Sequence, residues 1–312
     1  MADRNVTLIT EFLLLGLTDN PELNVVLFVL LLLIYFINVV GNAWIITIIL
    51  VSVQLHYPKY FFLSHLAFLD FCYSSVFIPK MLASYLTGQK AISYHGCLIQ
   101  YSFVSLFLTT ECFLLAAMAY DRYFAICRPL HYRGLMTPTV CIHLVTASYL
   151  LGCVNSVTHL SSLLSLSFCG PNVINHYFCD IPLLFQLSCS DTRYSKALFI
   201  VLSTTTTATT FLIVLSSYLG ILCTVVKIHS TRGRYKAFST CASHLTVVTL
   251  FYGTVTFTYL GTSSSYPQDR AKVLSVFYTL LLPVLNLLIY SVRNQEAKEA
   301  MKRIIRRKVF AQ

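Results

Sequence analysis

Charge is what this sequence has least of. Only 11% of its 312 residues are Asp, Glu, Lys or Arg, 56% are hydrophobic, and the mean hydropathy is +0.71. Soluble domains carry about a quarter charged residues, so a soluble domain is excluded. Residues Met1 to Thr18 lack a basic start, an apolar stretch and a small-residue cleavage site; no signal peptide is read there, and the first apolar run would itself target the chain. Linkers, repeats and low-complexity tracts are missing too, apart from a threonine cluster at Thr204 to Thr207 inside an apolar run. That predicts one membrane domain. Without repeated halves, a transporter or channel is disfavoured. With no external carboxylate pair or metal-ligand cluster, hydrolase and nuclease chemistry has no support, and no enzyme is expected.

What is present is length without charge. Apolar runs cover about 24–51, 59–86, 98–126, 139–166, 196–226, 237–260 and 271–292, each near or above the ~20 residues that span a hydrocarbon core. The expectation is an all-α membrane protein with a seven-transmembrane helix bundle at 24–292. It carries an extracellular tail at 1–23 and a cytoplasmic tail at 293–312, the latter starting in a short amphipathic helix.

An odd number of spans puts the termini on opposite sides, and basic residues decide the orientation. With the carboxyl end inside, the cytoplasmic face holds all but seven of the 22 lysines and arginines: Arg4, Lys80, Lys90, Arg193, Lys196, Arg270 and Lys272 lie outside. The net charge of +10 is thus a positive-inside signal facing a lipid bilayer with anionic headgroups, and no nucleic-acid partner is expected. The acceptor sequence Asn5-Val6-Thr7 falls on the outer side, where Asn5 would be glycosylated.

Topology also sorts the eleven cysteines. Seven fall in spans or on the reducing side; Cys97, Cys169, Cys179 and Cys189 remain on the oxidising face, with three pairings open. Three of them recur every ten residues in a long loop at about 167–195, which suggests tying. A Cys97–Cys179 bridge would draw the loop over the bundle and leave Cys169 and Cys189 to close it on itself.

Charges at membrane depth mark switches or pathways. Asp70 and Glu111 sit midway along the second and third spans. Facing each other, they would hold a cation such as sodium, share a proton, or join an internal hydrogen-bond network. From Cys97 to Arg122 the third span covers ~37 Å at 1.5 Å per residue, enough to put Asp121-Arg122-Tyr123 at the inner face. An acid beside an arginine there can pair in one state and release in another.

The string Met118-Ala119-Tyr120-Asp121-Arg122-Tyr123-Phe124-Ala125-Ile126-Cys127-Arg128-Pro129-Leu130-His131-Tyr132 resembles the signature MAYDRYVAICxPLHY of olfactory receptors, the odorant branch of the rhodopsin-like G-protein-coupled receptors (class II, tetrapod type). Pro58 to Ser64, Gly41-Asn42, Lys236 to His244 and Pro283 to Asn294 resemble further family motifs in the right order. So does the string His176-Tyr177-Phe178-Cys179-Asp180. The resemblance implies the bridges Cys97–Cys179 and Cys169–Cys189. It also implies a stimulatory olfactory G protein as partner, cyclic AMP as output, and the plasma membrane of olfactory cilia as location. Switch and G-protein-face residues would be Asp121, Arg122, Tyr123, Tyr218, Lys236, Asn286 and Tyr290, with Ser239 and His244 as internal partners on the sixth helix. Two departures stand out: Leu287 replaces the family proline in the seventh span, and Lys59 replaces a methionine.

Helical spacing outlines a ligand pocket in the outer half. Val104 and Leu108, like Ser105 and Thr109, lie four apart on one stripe of the third span. Matching depths add Ser203, Thr206, Thr207, Tyr252, Val255, Thr256, Tyr259, Ser275, Val276 and Thr279. This is an apolar cavity with hydroxyls and no charge, expected to take a small, weakly polar odorant. An amine receptor would offer a carboxylate where Val104 stands. A peptide or lipid receptor of the same fold is disfavoured by the motif set.

Overall fold

The computed structural model describes residues 9–18, 20–260, 268–292 and 299, except the side chains of 236, 240, 258–260, 268–271, 291, 292. Asn5 and all of 293–312 but residue 299 lie outside the described residues, as do the Lys236 and Tyr259 side chains.

The spans are α1 (Pro21–Val51), α2 (Pro58–Thr87), α3 (Tyr94–Cys127), α5 (Pro138–Leu164), α7 (Arg193–Val226) and α8 (Thr231–Leu260), and then a composite seventh. That seventh joins α9 (Gln268–Val276) to α10 (Leu282–Val292) through a π-helical turn at Phe277–Leu281. Short helices α4 (Tyr132–Leu135) and α6 (Ile181–Leu187) lie in loops. Six segments among the described residues are long and apolar enough to cross a bilayer, and Cys241–Phe257 within α8 completes the seven-helix bundle. Helix starts obey local chemistry. Asn20 Oδ1 accepts the Glu22 amide at 3.0 Å, Pro21, Pro58 and Pro138 open their helices, and Gly88 at φ +70° ends α2 in the left-handed conformation.

Burial sorts the helices. The α3 helix is central, with a buried column from Cys97 to Arg122, whereas α1 presents Val25, Val26, Val29, Leu33 and Phe36 outward, as a lipid-facing helix does. Small residues allow close packing. A Cβ on Gly152 of α5 would sit 2.8 Å from the Leu106 carbonyl of α3, and one on Gly41 of α1 would collide with the Leu287 side chain. Leu287, standing where the family has proline, thus fills the notch that Gly41 leaves. The irregular turn of this span is the π-helical one at Phe277–Leu281, six to ten residues before Leu287.

The outer end carries a sheet that period-3.6 reading does not reveal. Strand β1 (Glu11–Leu14) runs antiparallel to β2 (Ala91–Ser93) and parallel to β3 (Val173–Ile174), giving the order β2-β1-β3. Phe12 and Leu14 point inward on alternate residues, and Phe12 meets Phe168 edge to face at 5.5 Å.

Candidate odorant and switch sites

At the inner end, α3 presents a compact polar cluster. Asp121 Oδ2 lies 2.7 Å from Arg122 Nη2, close but not aligned as a hydrogen bond, while Asp121 Oδ1 accepts the Tyr132 hydroxyl at 2.7 Å. Both members of the pair are buried, so neither charge is cheap to strand. On α8, His244 Nε2–H donates to the Leu115 carbonyl at 3.2 Å, which leaves Nδ1 to accept the Tyr218 hydroxyl at 2.7 Å. The Tyr218 and His244 rings also stack. One imidazole thus holds α3, α7 and α8 together above Arg122. Tyr123 packs on Gly220 of α7, and Tyr290 is buried with its hydroxyl unpaired among the described residues. Ser239 corrects the expectation: it is exposed, because it lies about 140° around the helix from His244 and so faces away from the bundle.

Midway across, Asn286 Nδ2 donates to both carboxylate oxygens of Asp70 at 3.2 Å, and Asn38 and Ser74 reach the Asp70 carbonyl. Asn42 bonds Asn38. Glu111 lies beside this group, and its Oε1, like Asn286 Oδ1, is buried without a hydrogen-bond partner among the described residues. An all-oxygen set with orphaned acceptors suits a hard cation or a shared proton, neither of which demands a softer ligand.

The outer half holds the expected pocket residues. Val104, Ser105, Thr109, Tyr252, Val255, Ser275 and Thr279 are buried, and Leu108, Ser203, Thr206, Thr207 and Val276 half-buried. Several hydroxyls are already engaged. Thr206 accepts from Asn155 of α5 at 3.3 Å, and Tyr177 of the loop bonds Ser275 at 3.0 Å and Thr279 at 2.7 Å. Thr256 is exposed: the buried stripe of α8 runs Val248, Phe251, Tyr252, Val255, and Thr256 falls on its outer flank.

The loop reaches this depth because it is tied. Cys97 is bonded to Cys179 and Cys169 to Cys189. Gln100, one turn below Cys97, accepts the Cys179 amide at 2.9 Å. His176 Nε2 bonds Ser275 at 3.1 Å, and Lys272 donates to Asn175 at 2.7 Å. Burial, with the Lys272 charge adding, lowers the His176 pKa to about 3; burial raises that of Asp180 to about 7, although Asp180 accepts the Ile181 amide. Sequence reasoning missed Gln100, Asn155 and Tyr177 as anchors. A polar residue one turn after a bridging cysteine was the available signal for Gln100.

The model of the olfactory receptor family matches residues 31–308. Mouse olfactory receptor 5AR1 is 51% identical over 99% of both chains. Human olfactory receptor 5AP2 is 52% identical over 97% of this chain and 96% of its own, and human olfactory receptor 5J2 is 51% identical over 99% of each. The chain belongs to the olfactory receptor family. It is a multi-pass membrane receptor for odorants that signals through a G protein rather than an enzyme. The buried polar residues around Asp70 lie between the inner cluster at Arg122 and the hydroxyl-bearing outer stripe of α3.

Proposed function

We propose that this olfactory receptor binds a small, weakly polar volatile molecule between α3, α7, α8 and the seventh span, and passes the signal to a stimulatory olfactory G protein that raises cyclic AMP in olfactory cilia. The observation that carries the ligand class is the buried stripe Val104, Ser105, Thr109 with Tyr252 and Thr279: hydroxyls set in apolar walls without an ionised group. The ligand favours the signalling state by binding it more tightly than the resting one. Asp70 and Glu111 hold a sodium ion or one shared proton in the resting state, a reading supported by the unpartnered Glu111 Oε1 and Asn286 Oδ1 beside Asp70.

A panel of odorants screened in a cyclic AMP reporter line identifies an agonist. Leu108→Asp and Tyr252→Ala are then expected to move its dose response at least tenfold to higher concentration. Unchanged curves in both variants, at equal surface expression, defeat the pocket assignment.

A further inference from the structure

A cavity lies nearer the outside than the odorant stripe. It measures about 100 Å³ and is bounded by the end of β1, the first turn of α1 and the outer end of α2, with Asn24, Lys80, Ser84, Tyr85, Lys90 and Tyr177 in its wall. Its roof is fixed in place: the Leu15 and Gly16 amides donate to the Ile174 and His176 carbonyls at 3.0 and 3.2 Å.

Two polar atoms of this wall lack partners among the described residues. Lys80 donates to the Ala91 carbonyl at 2.6 Å and has no carboxylate partner among the described residues. Tyr85 Oη is buried without a hydrogen bond there, the Leu17 backbone amide being near but not bonded, and Asn24 Oδ1 is likewise buried and unpartnered. Buried polar atoms without partners are uncommon. A cation, a phenol hydroxyl and an amide that can turn its NH2 inward by a half-rotation together form a donor set. What they match is an acceptor carrying negative charge.

We infer that this outer cavity is a binding site for a small carboxylate. Its volume, well below the ~300–1,000 Å³ of drug-sized sites, suits an acid of a few carbons. Lys80 supplies the charge-assisted bond and Tyr85 a second donor. The site is separate from the odorant stripe but not independent of it. Tyr177 lines the cavity and also bonds Ser275 and Thr279, so occupancy acts on the residue that anchors the loop to the seventh span.

The test uses the full-length receptor in lipid nanodiscs, titrated with sodium butyrate and followed by saturation-transfer NMR of the butyrate protons. Saturable binding is expected for the native protein. Lys80→Met is expected to weaken it about tenfold or more, the worth of a charged hydrogen bond. Lys80→Arg is expected to keep binding within a few fold, which shows that loss in Lys80→Met is not misfolding. Leu108→Phe, which alters only the odorant stripe, is expected to leave butyrate binding unchanged, so failure here is distinguishable from failure of the odorant pocket. Absent saturable binding, native binding in Lys80→Met, equal loss in Lys80→Arg, or loss in Leu108→Phe each overturns the site.

Discussion

The inner cluster depends on single hydrogen bonds. The Tyr132 hydroxyl holds Asp121 in its pairing position, and the His244 imidazole bridges two neighbours at once. Each such bond contributes about 1 kcal/mol net, which corresponds to about a fivefold shift in a two-state population. Tyr132→Phe removes one bond and no volume to speak of, so it should raise ligand-independent cyclic AMP by up to about fivefold at matched surface expression. An unchanged basal level would mean that the Asp121–Arg122 pair does not need Tyr132. Asp121 and Arg122 were legible in the sequence as neighbours at a span end. Their third partner was not, because Tyr132 returns to them across a loop whose path hydropathy does not encode. Ser239 and Thr256 failed for a simpler reason: motif membership and depth say nothing of helix phase, and each sits off the buried stripe.

The outer loop behaves as one element, and its acid and base oppose each other with pH. Asp180, with its folded pKa raised from 3.8 to about 7, stabilises the fold less as pH rises through that window, because the native state then holds more protons than the unfolded chain. His176, lowered from 6.5 to about 3, does the reverse: stability is lost as pH falls below 6.5, since the unfolded chain takes up a proton that the buried ring refuses. Between pH 7.5 and 5 the two effects offset one another in the native protein. Separation by mutation should expose them. In thermal melts, Asp180→Asn should gain on the native receptor as pH rises over that range, and His176→Phe should gain as pH falls. Parallel curves for all three proteins would refute the assigned burial. The loop's disulfide tie follows from topology and family resemblance, whereas its depth does not: Tyr177 reaches Thr279 only because Gln100 and the Cys97–Cys179 bond pin its neighbours.

For the whole molecule, hydropathy and the basic-residue count are enough to predict seven spans and an outward amino end, since the bilayer imposes both. Span ends in the structure fall within a few residues of the expected ones where caps are explicit, as at Pro58 and Pro138, and α8 begins six residues early because its inner end continues past the apolar stretch. An amino-terminal tag should be labelled on intact cells and a carboxyl-terminal tag only after permeabilisation. Cys97→Ser should abolish most of that surface signal, because the bridge it removes spans 82 residues, and bridges over loops of that size contribute roughly 4–5 kcal/mol in the chain-entropy description. Surface labelling equal to the native receptor would contradict that dependence. The small outer sheet was the part least visible in advance: four residues of alternating burial carry little pattern, and their partners lie far along the chain.

That sheet has a consequence for how the receptor is made. Its middle strand, Glu11–Leu14, leaves the ribosome well before its parallel partner Val173–Ile174, which emerges only after four spans have followed. Ala91–Ser93 can cover one edge of the strand after two spans, but at ~5–20 residues per second the other edge waits about ten to thirty seconds for its partner. The sheet is therefore completed only once four spans are in place, and until then the lumenal folding machinery meets this receptor with one strand edge exposed.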